Sequence, residues 1–190
     1  MDSAEVINEV AGQVKVCEKC NLHLSRKNAV PGEGPAQVEL MFIGEGPGFY
    51  ENEQGRPFVG QAGKFLDELL ASAGVTRADV YITNVVKCRP PGNRDPLPDE
   101  LSACRGYLER QIEALNPTVI VTLGRYSMAH FLPNDRYFDA HPEWFGMRNG
   151  KRVKQEFGGS QFCWSNADAR KTFIDNAEQF RTTSTQGVSP

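Results

Sequence analysis

Phe42 to Leu70 reads FIGEGPGFYENEQGRPFVGQAGKFLDELL. It opens at the end of an apolar run, Val38-Glu39-Leu40-Met41-Phe42-Ile43, whose length suits a buried strand. The chain then turns through Gly44-Glu45-Gly46-Pro47-Gly48, where three glycines and a proline in five residues exclude the interior of a helix or strand. Such a loop lets another molecule approach the backbone. After Arg56-Pro57-Phe58-Val59-Gly60 a helical period begins, with Phe65, Leu66, Leu69 and Leu70 predicted on one face. A carboxylate, Glu45, therefore stands at the C-terminal end of a strand, and an aromatic, Phe58, just ahead of the next helix. In open α/β sheets, ligands bind beyond the carboxyl ends of the strands. The loop lacks the Lys-Ser/Thr ending of a phosphate-binding P-loop, so taken alone it reads equally well as a structural connection.

Working outward, Val6, Ile7, Val10 and Val14 recur at helical spacing and predict a first helix over 4–16. It runs into Cys17-Glu18-Lys19-Cys20, a pair of thiols that can grip one site from a single turn. Cys88 and Cys104, sixteen residues apart, supply a second pair. Four such ligands suit either zinc or an iron–sulfur cluster, and the second pair is not the CxxC of a zinc ribbon. Cys163, in Gln161-Phe162-Cys163-Trp164, reads as a small buried hydrophobe.

Val80-Tyr81-Ile82-Thr83-Asn84-Val85-Val86 is a second strand, β-branched and aromatic, with Asn84 interrupting its apolar run near the C-terminal end. A buried amide must find partners, in the backbone or in a polar ligand. A proline-punctuated loop with Lys87, Arg89 and Arg94 follows, and then a helix over 97–115 with Pro98 at its start. Thr118-Val119-Ile120-Val121-Thr122-Leu123-Gly124 is a third strand, and Tyr126 to Leu132 a short helix. Later strands are expected within 152–157 and 161–164, and a last helix over 168–181. Strand alternating with helix is the α/β pattern of a parallel sheet covered on both faces, with Glu45, Phe58 and Asn84 along one edge.

The 190 residues fit one domain, read as 1–181 with a polar, disordered tail over 182–190. No apolar run approaches the roughly 20 residues of a membrane helix. The acidic, amphipathic N-terminus is no secretory signal, so a cytosolic (cytoplasmic) monomer without disulfides is expected. A net charge of −3 does not advertise nucleic acid binding, which would need a local basic patch. Lys87, Arg89 and Arg94 form one candidate, and Arg148, Lys151, Arg152 and Lys154 read as a solvated face.

In combination these residues resemble the iron–sulfur, family-four uracil-DNA glycosylases. The resemblance rests on Gly44-Glu45-Gly46-Pro47-Gly48, on Gly55-Arg56-Pro57-Phe58-Val59-Gly60-Gln61-Ala62-Gly63, on Tyr81 to Pro91, on the Leu97-Pro98-Asp99-Glu100 helix start, and on the four cysteines. It covers about residues 10–132. It implies a three-layer αβα fold with a central, mainly parallel four-stranded sheet, and a [4Fe-4S] cluster held by Cys17, Cys20, Cys88 and Cys104. It implies an enzyme of base excision repair that hydrolyses the N-glycosidic bond of deoxyuridine in DNA. Glu45 and Gly46 would line the base pocket, with Glu45 a catalytic carboxylate that orients water or acts electrostatically, Phe58 would stack on uracil, and Asn84 would read its amide edge and help exclude other bases. Glu51 would position water, while Arg56, Lys87 and Arg89 would meet phosphates.

One part of the pattern has no counterpart. The family's second catalytic motif, His-Pro followed by small residues, falls before the last helix, where this chain has Gly159 to Ala167 and no His. The chain's His-Pro, His141-Pro142, lies too early, and Ser160 or Gln161 is the candidate substitute donor. The basic, His-containing insertion of the relatives that crosslink to DNA is also missing, so covalent capture is not expected. Two functions therefore compete: a slow glycosylase, or an impaired homologue that binds uracil DNA and keeps the cluster. A cluster-bearing redox protein, the third reading, leaves Glu45, Phe58 and Asn84 without a purpose.

Overall fold

The computed structural model describes residues 2–131, 147–148 and 151–152. The chain divides into two compact units, Met1–Met128 and Ala129–Pro190, and every candidate site residue described lies in the first. Its sheet has three parallel strands, β1 (Leu40–Gly44), β2 (Val80–Asn84) and β3 (Val119–Thr122), in the order β2-β1-β3. The expected fourth strand is not part of this sheet among the described residues. A short antiparallel pair, β4 (Met147–Arg148) with β5 (Lys151–Arg152), stands in the second unit. The expected last helix and the tail, 168–181 and 182–190, lie outside the described residues, as does the remainder of the late strands.

Residue parity sends alternate side chains to opposite faces of the sheet. Leu40 and Phe42 of β1 share one face with Val80 and Ile82 of β2, and there they pack on Leu66 and Leu70 of α3 (Gln61–Ser72). Tyr81 and Thr83 face the other way, to Gln111 of α4 (Pro98–Leu115), whose amide donates to the Tyr81 hydroxyl at 3.1 Å. The N-terminal helix α1 (Ser3–Lys15) packs Val10 and Val14 against Tyr107 of α4 and against Val86. Each fully buried aliphatic side chain contributes roughly 1.5–3 kcal/mol. Helices on both sides of a parallel sheet are the predicted layers.

Two local expectations differ from the structure. In α3 only Gly63, Leu66 and Leu70 are buried, while Phe65 and Leu69 stay exposed, because the sheet covers a stripe narrower than the four apolar residues suggested. Phe49–Gln54, expected as loop, forms a short helix, α2, closed by Gly55 in the left-handed conformation (φ 70°). A further helix, α5 (Arg125–Phe131), begins shortly after β3. Among the described residues no helix is long and apolar enough to cross a membrane.

The start of α3 is fixed by close packing. A Cβ on Gly63 would lie 1.8 Å from the Phe58 carbonyl oxygen and 2.2 Å from its carbon, so only glycine lets the helix seat on that turn. Gly12, inside α1, has open space around it. We predict that Gly63→Ala lowers stability by about 3 kcal/mol through backbone overlap, whereas Gly12→Ala raises it by about 0.5–1 kcal/mol through helix propensity. Thermal midpoints of the two variants check this, and equal shifts would contradict it.

At the start of α4, Glu100 accepts from the Leu97 backbone N–H (2.8 Å) and from both terminal nitrogens of Arg94 (2.6 and 2.9 Å). The Arg94 hydrogen bond, joined by the Leu97 N–H and the guanidinium charge, holds the Glu100 carboxyl below its ordinary value against the cost of burial. A carboxylate depressed in the folded state stabilises fully above its unfolded value, about 4.3, and loses that contribution as pH falls through the depressed value. The midpoint gap between wild type and Glu100→Gln should accordingly be constant above pH ~5 and close below pH ~4. A gap independent of pH would refute the assignment.

Candidate active site

The parallel register places Gly44 of β1 opposite Asn84 of β2, on the α3 face and at the C-terminal edge of the sheet. Beyond the strands the ladder continues, with the Val85 N–H donating to Gly44 O (3.0 Å) and Val86 N–H to Glu45 O (3.1 Å). A Cβ on Gly44 would meet the Asn84 side-chain oxygen at 2.4 Å and the Phe58 ring at 2.6 Å. The absence of a side chain there lets the amide and the ring close over the same spot. Asn84 is only 2% exposed, yet its side-chain amide has no hydrogen-bond partner among the described residues. It lines a pocket of about 330 Å³ together with Gly46, Gly48, Glu51, Phe58 and Gly60. Phe49, Tyr50, Gln61, Ala62 and Asn93 complete the wall.

Phe58 holds φ at 52°, a left-handed conformation that costs a non-glycine residue about 1–2 kcal/mol. Its surroundings enforce it. The Arg77 guanidinium donates to Phe58 O (3.0 Å) and Pro57 O (2.7 Å), and the Phe58 carbonyl packs directly on Gly63. Arg77 in turn pairs with Glu33 (2.7 Å) and Asp67 (3.0 Å). Burial works against the Glu33 charge, but the bonds and charges of Arg56 and Arg77 together keep its carboxyl below its ordinary value. Glu33 is itself tied to β2 by paired backbone bonds with Ile82. Arg77 carries no motif in the sequence, and its role becomes visible only when chain segments 33, 57–58 and 67 meet.

Glu51 and Glu45 part company. The Glu51 carboxylate lines the pocket and accepts three backbone N–H bonds, from Gly48 (3.1 Å), Val59 (2.9 Å) and Gly60 (2.8 Å). A carboxylate has about four lone-pair sites, which leaves one on Oε2 for a further donor. Glu45 is not among the pocket-lining residues; its carboxylate turns to Gly124 and to the Tyr126 N–H (3.2 Å).

The three cations expected on phosphates occupy different surroundings. Lys87 is 1% exposed, and its ammonium donates to Thr83 Oγ1 (2.6 Å), Asn84 O (2.8 Å) and Gln111 Oε1 (2.7 Å). This corrects the expectation that Lys87 meets phosphates, because a cation enclosed in this way does not reach the surface. Burial lowers its pKa to about 7. Arg56 is exposed and bonded to Glu33 through two nitrogens. Arg89 donates to Asn93 Oδ1 (2.6 Å) and lies 5.2 Å from the Phe49 ring centroid.

Cys17, Cys20, Cys88 and Cys104 gather in one apolar cluster with Val10, Val14, Leu22 and Tyr107, and none is in a disulfide. Burial pushes the thiols of Cys20, Cys88 and Cys104 up, the last to about 11. Arg26 donates to Cys88 Sγ at 3.3 Å and to Cys17 O at 2.6 Å. Among the described residues no group of three or more His, Cys, Asp or Glu closes tightly enough round one point for a single ion. A four-iron cluster is wider than an ion, and an all-thiol set in an apolar shell suits it chemically.

His141 and 159–167, where the second motif would fall, lie outside the described residues. Phe49 and Tyr50 carry no assignment from the sequence, although two adjacent aromatics in a glycine-bounded loop are a signal for binding.

Residues 31–177 match the uracil DNA glycosylase superfamily. The chain is 42% identical over 184 residues to the type-4 uracil-DNA glycosylase of Thermotoga maritima, covering 94% of each protein. It is 52% identical over 130 residues to that of Archaeoglobus fulgidus, covering 68% of this chain and 65% of the relative. For the Saccharolobus solfataricus enzyme the values are 54% over 131 residues, 68% and 59%. The match thus spans less than two thirds of the two archaeal proteins and nearly all of the bacterial one. With this fold, this pocket and these relatives, the chain belongs to the uracil-DNA glycosylase superfamily and groups with its type-4 members.

Proposed function

We propose that this chain is a uracil-DNA glycosylase that hydrolyses the N-glycosidic bond of deoxyuridine in base excision repair. The observation that carries the reading is the Asn84 amide: almost fully buried, without a side-chain hydrogen bond among the described residues, and lining the pocket beside the Phe58 ring. Asn84 is not among the side chains with a buried, unpaired polar atom, so its amide opens to the pocket, where a ligand edge can replace water as its partner. An amide offers one acceptor and two donors, which suit the N3–H and O4 of uracil. The target base must leave the stack, and a mispaired uracil leaves most readily. Phe58, locked by Arg77, offers a face for it. The free lone pair of Glu51 would orient the attacking water, and donors at the uracil oxygen would stabilise the anion as the bond breaks. Glu45 acts at one remove, by holding the β3–α5 turn. Arg89 and Arg56, both outside the buried core, would meet backbone phosphates.

Cys17, Cys20, Cys88 and Cys104 would hold a [4Fe-4S] cluster. These thiols come from the end of α1, the segment after β2, and α4, so a bound cluster would supply a link between them, with the ligating thiols deprotonated. The protein acts as a monomer on uracil-containing DNA. Without a histidine at the second motif, excision runs about a hundred- to a thousand-fold below that of a full donor set, with Ser160 or Gln161 supplying the remaining bond.

The test is excision from a labelled oligonucleotide with one uracil, single-stranded and opposite guanine, read as alkali-sensitive breaks at excess holoprotein. Asn84→Ala should lower the rate roughly a hundred-fold, and Ser160→Ala should lower it where His141→Ala does not. No excision by folded wild type would leave the DNA-binding homologue as the better reading. For the cluster, iron and acid-labile sulfide should co-purify with wild type and be lost from Cys104→Ala; equal content in both would exclude that ligand.

A further inference from the structure

Phe49 and Tyr50 begin α2 and belong to the pocket wall, yet they are 50% and 57% exposed and join neither apolar cluster described above. Their rings meet edge to face, with centroids 5.5 Å apart. The platform beneath them is rigid. Glu51 pins the helix start through three backbone bonds, and buried Asn52 accepts from the Lys27 N–H at 2.9 Å. The Asn28 amide bonds to Asn52 O and Glu53 O at 2.9 and 3.0 Å. A helix anchored on its inner side thus presents two aromatics outward at the pocket rim. Beside them stands Arg89, its guanidinium over the Phe49 ring and its Nε held by Asn93, which also lines the pocket.

Exposed aromatic rings with an adjoining cation form the chemistry by which proteins hold single-stranded nucleic acid: bases stack on the rings and the cation meets a phosphate. We propose that Phe49 and Tyr50 form a stacking subsite for a base neighbouring the extruded nucleotide, with Arg89 directed at the phosphate between the two. The proposal rests on the glycosylase reading only for which nucleotide enters the pocket. Stacking is indifferent to base identity, so the subsite adds affinity without adding sequence preference. It also requires the neighbour to be unstacked from its own strand, which favours single-stranded over duplex substrate.

The experiment is a cycle of binding measurements by fluorescence anisotropy on holoprotein. One probe is a single-stranded oligonucleotide with one uracil; the other has the nucleotides on both sides of the uracil replaced by abasic tetrahydrofuran units. Wild type is compared with a Phe49→Leu, Tyr50→Leu double variant, which keeps apolar bulk and removes both π faces. Phe65→Leu, on the exposed side of α3 and outside the pocket, serves as control. Loss of the neighbouring bases should weaken wild type about ten-fold. The double variant should bind the intact strand about ten-fold more weakly than wild type and show no further loss with the abasic probe. Phe65→Leu should behave as wild type. Equal penalties for the abasic probe in wild type and double variant, or unchanged binding by the double variant, would overturn the subsite. Excision measured on the same samples separates the two claims. A coupled cycle without excision overturns the glycosylase reading alone, and excision with an uncoupled cycle overturns the subsite alone.

Discussion

Three backbone N–H groups converge on the carboxylate of Glu51, and the candidate site depends on that convergence. Gly48 belongs to the loop after β1, while Val59 and Gly60 belong to the turn into α3. One side chain therefore joins the loop after β1 to the turn into α3. Charge-assisted bonds of this kind are about twice as strong as neutral ones. They determine where Phe58 enters and how α2 carries its aromatics. The Arg77–Glu33–Asp67 network then secures the turn from the outside, so that the strained Phe58 backbone has no easy relaxation. The strain is local, and the bonds that hold it come from residues distant in sequence.

A second polar centre lies on the opposite face of the sheet. Lys87, Thr83 and Gln111 satisfy one another beneath the strand that carries Asn84, and the Gln111 amide also donates to Pro31 O at 2.8 Å. No carboxylate accompanies this buried ammonium among its hydrogen-bond partners; its neighbour in sequence, Cys88, belongs to the four-cysteine cluster. The end of β2 thus serves two sites at once. Asn84 faces the pocket on one side, while Lys87 and Cys88 continue into the cysteine cluster on the other. Movement of this segment would disturb both, which gives the cysteines a structural bearing on the pocket without direct participation in it.

Much of this was legible in the sequence because short-range rules governed it. The apolar runs located the three strands, Pro98 and Glu100 marked the start of α4, and the glycine-rich loop after β1 announced a close approach. Asn84 stood out because an amide in an apolar strand needs a reason. What escaped was set by side-chain contacts across long sequence separations. Lys87 sits in a loop rich in cations and prolines, which suggests solvent, and only the fold shows that Thr83 and Gln111 enclose it. Glu45 follows the strand as expected, but its carboxylate bonds to the Tyr126 N–H in space left open by the glycine at 124. Arg77 has no local signature at all. Phe65 and Leu69 fit the helical period and yet remain outside, because periodicity describes a face and not whether anything covers it.

The central claim is that the pocket beside Gly44 reads uracil through the Asn84 amide while Phe58 covers the base. The most direct measurement is a crystal structure of the holoprotein with free uracil. The account predicts uracil against the Phe58 ring, with the Asn84 amide within hydrogen-bond distance of both N3 and O4. Uracil bound elsewhere, or an Asn84 amide paired instead to protein groups with the pocket empty, would contradict it.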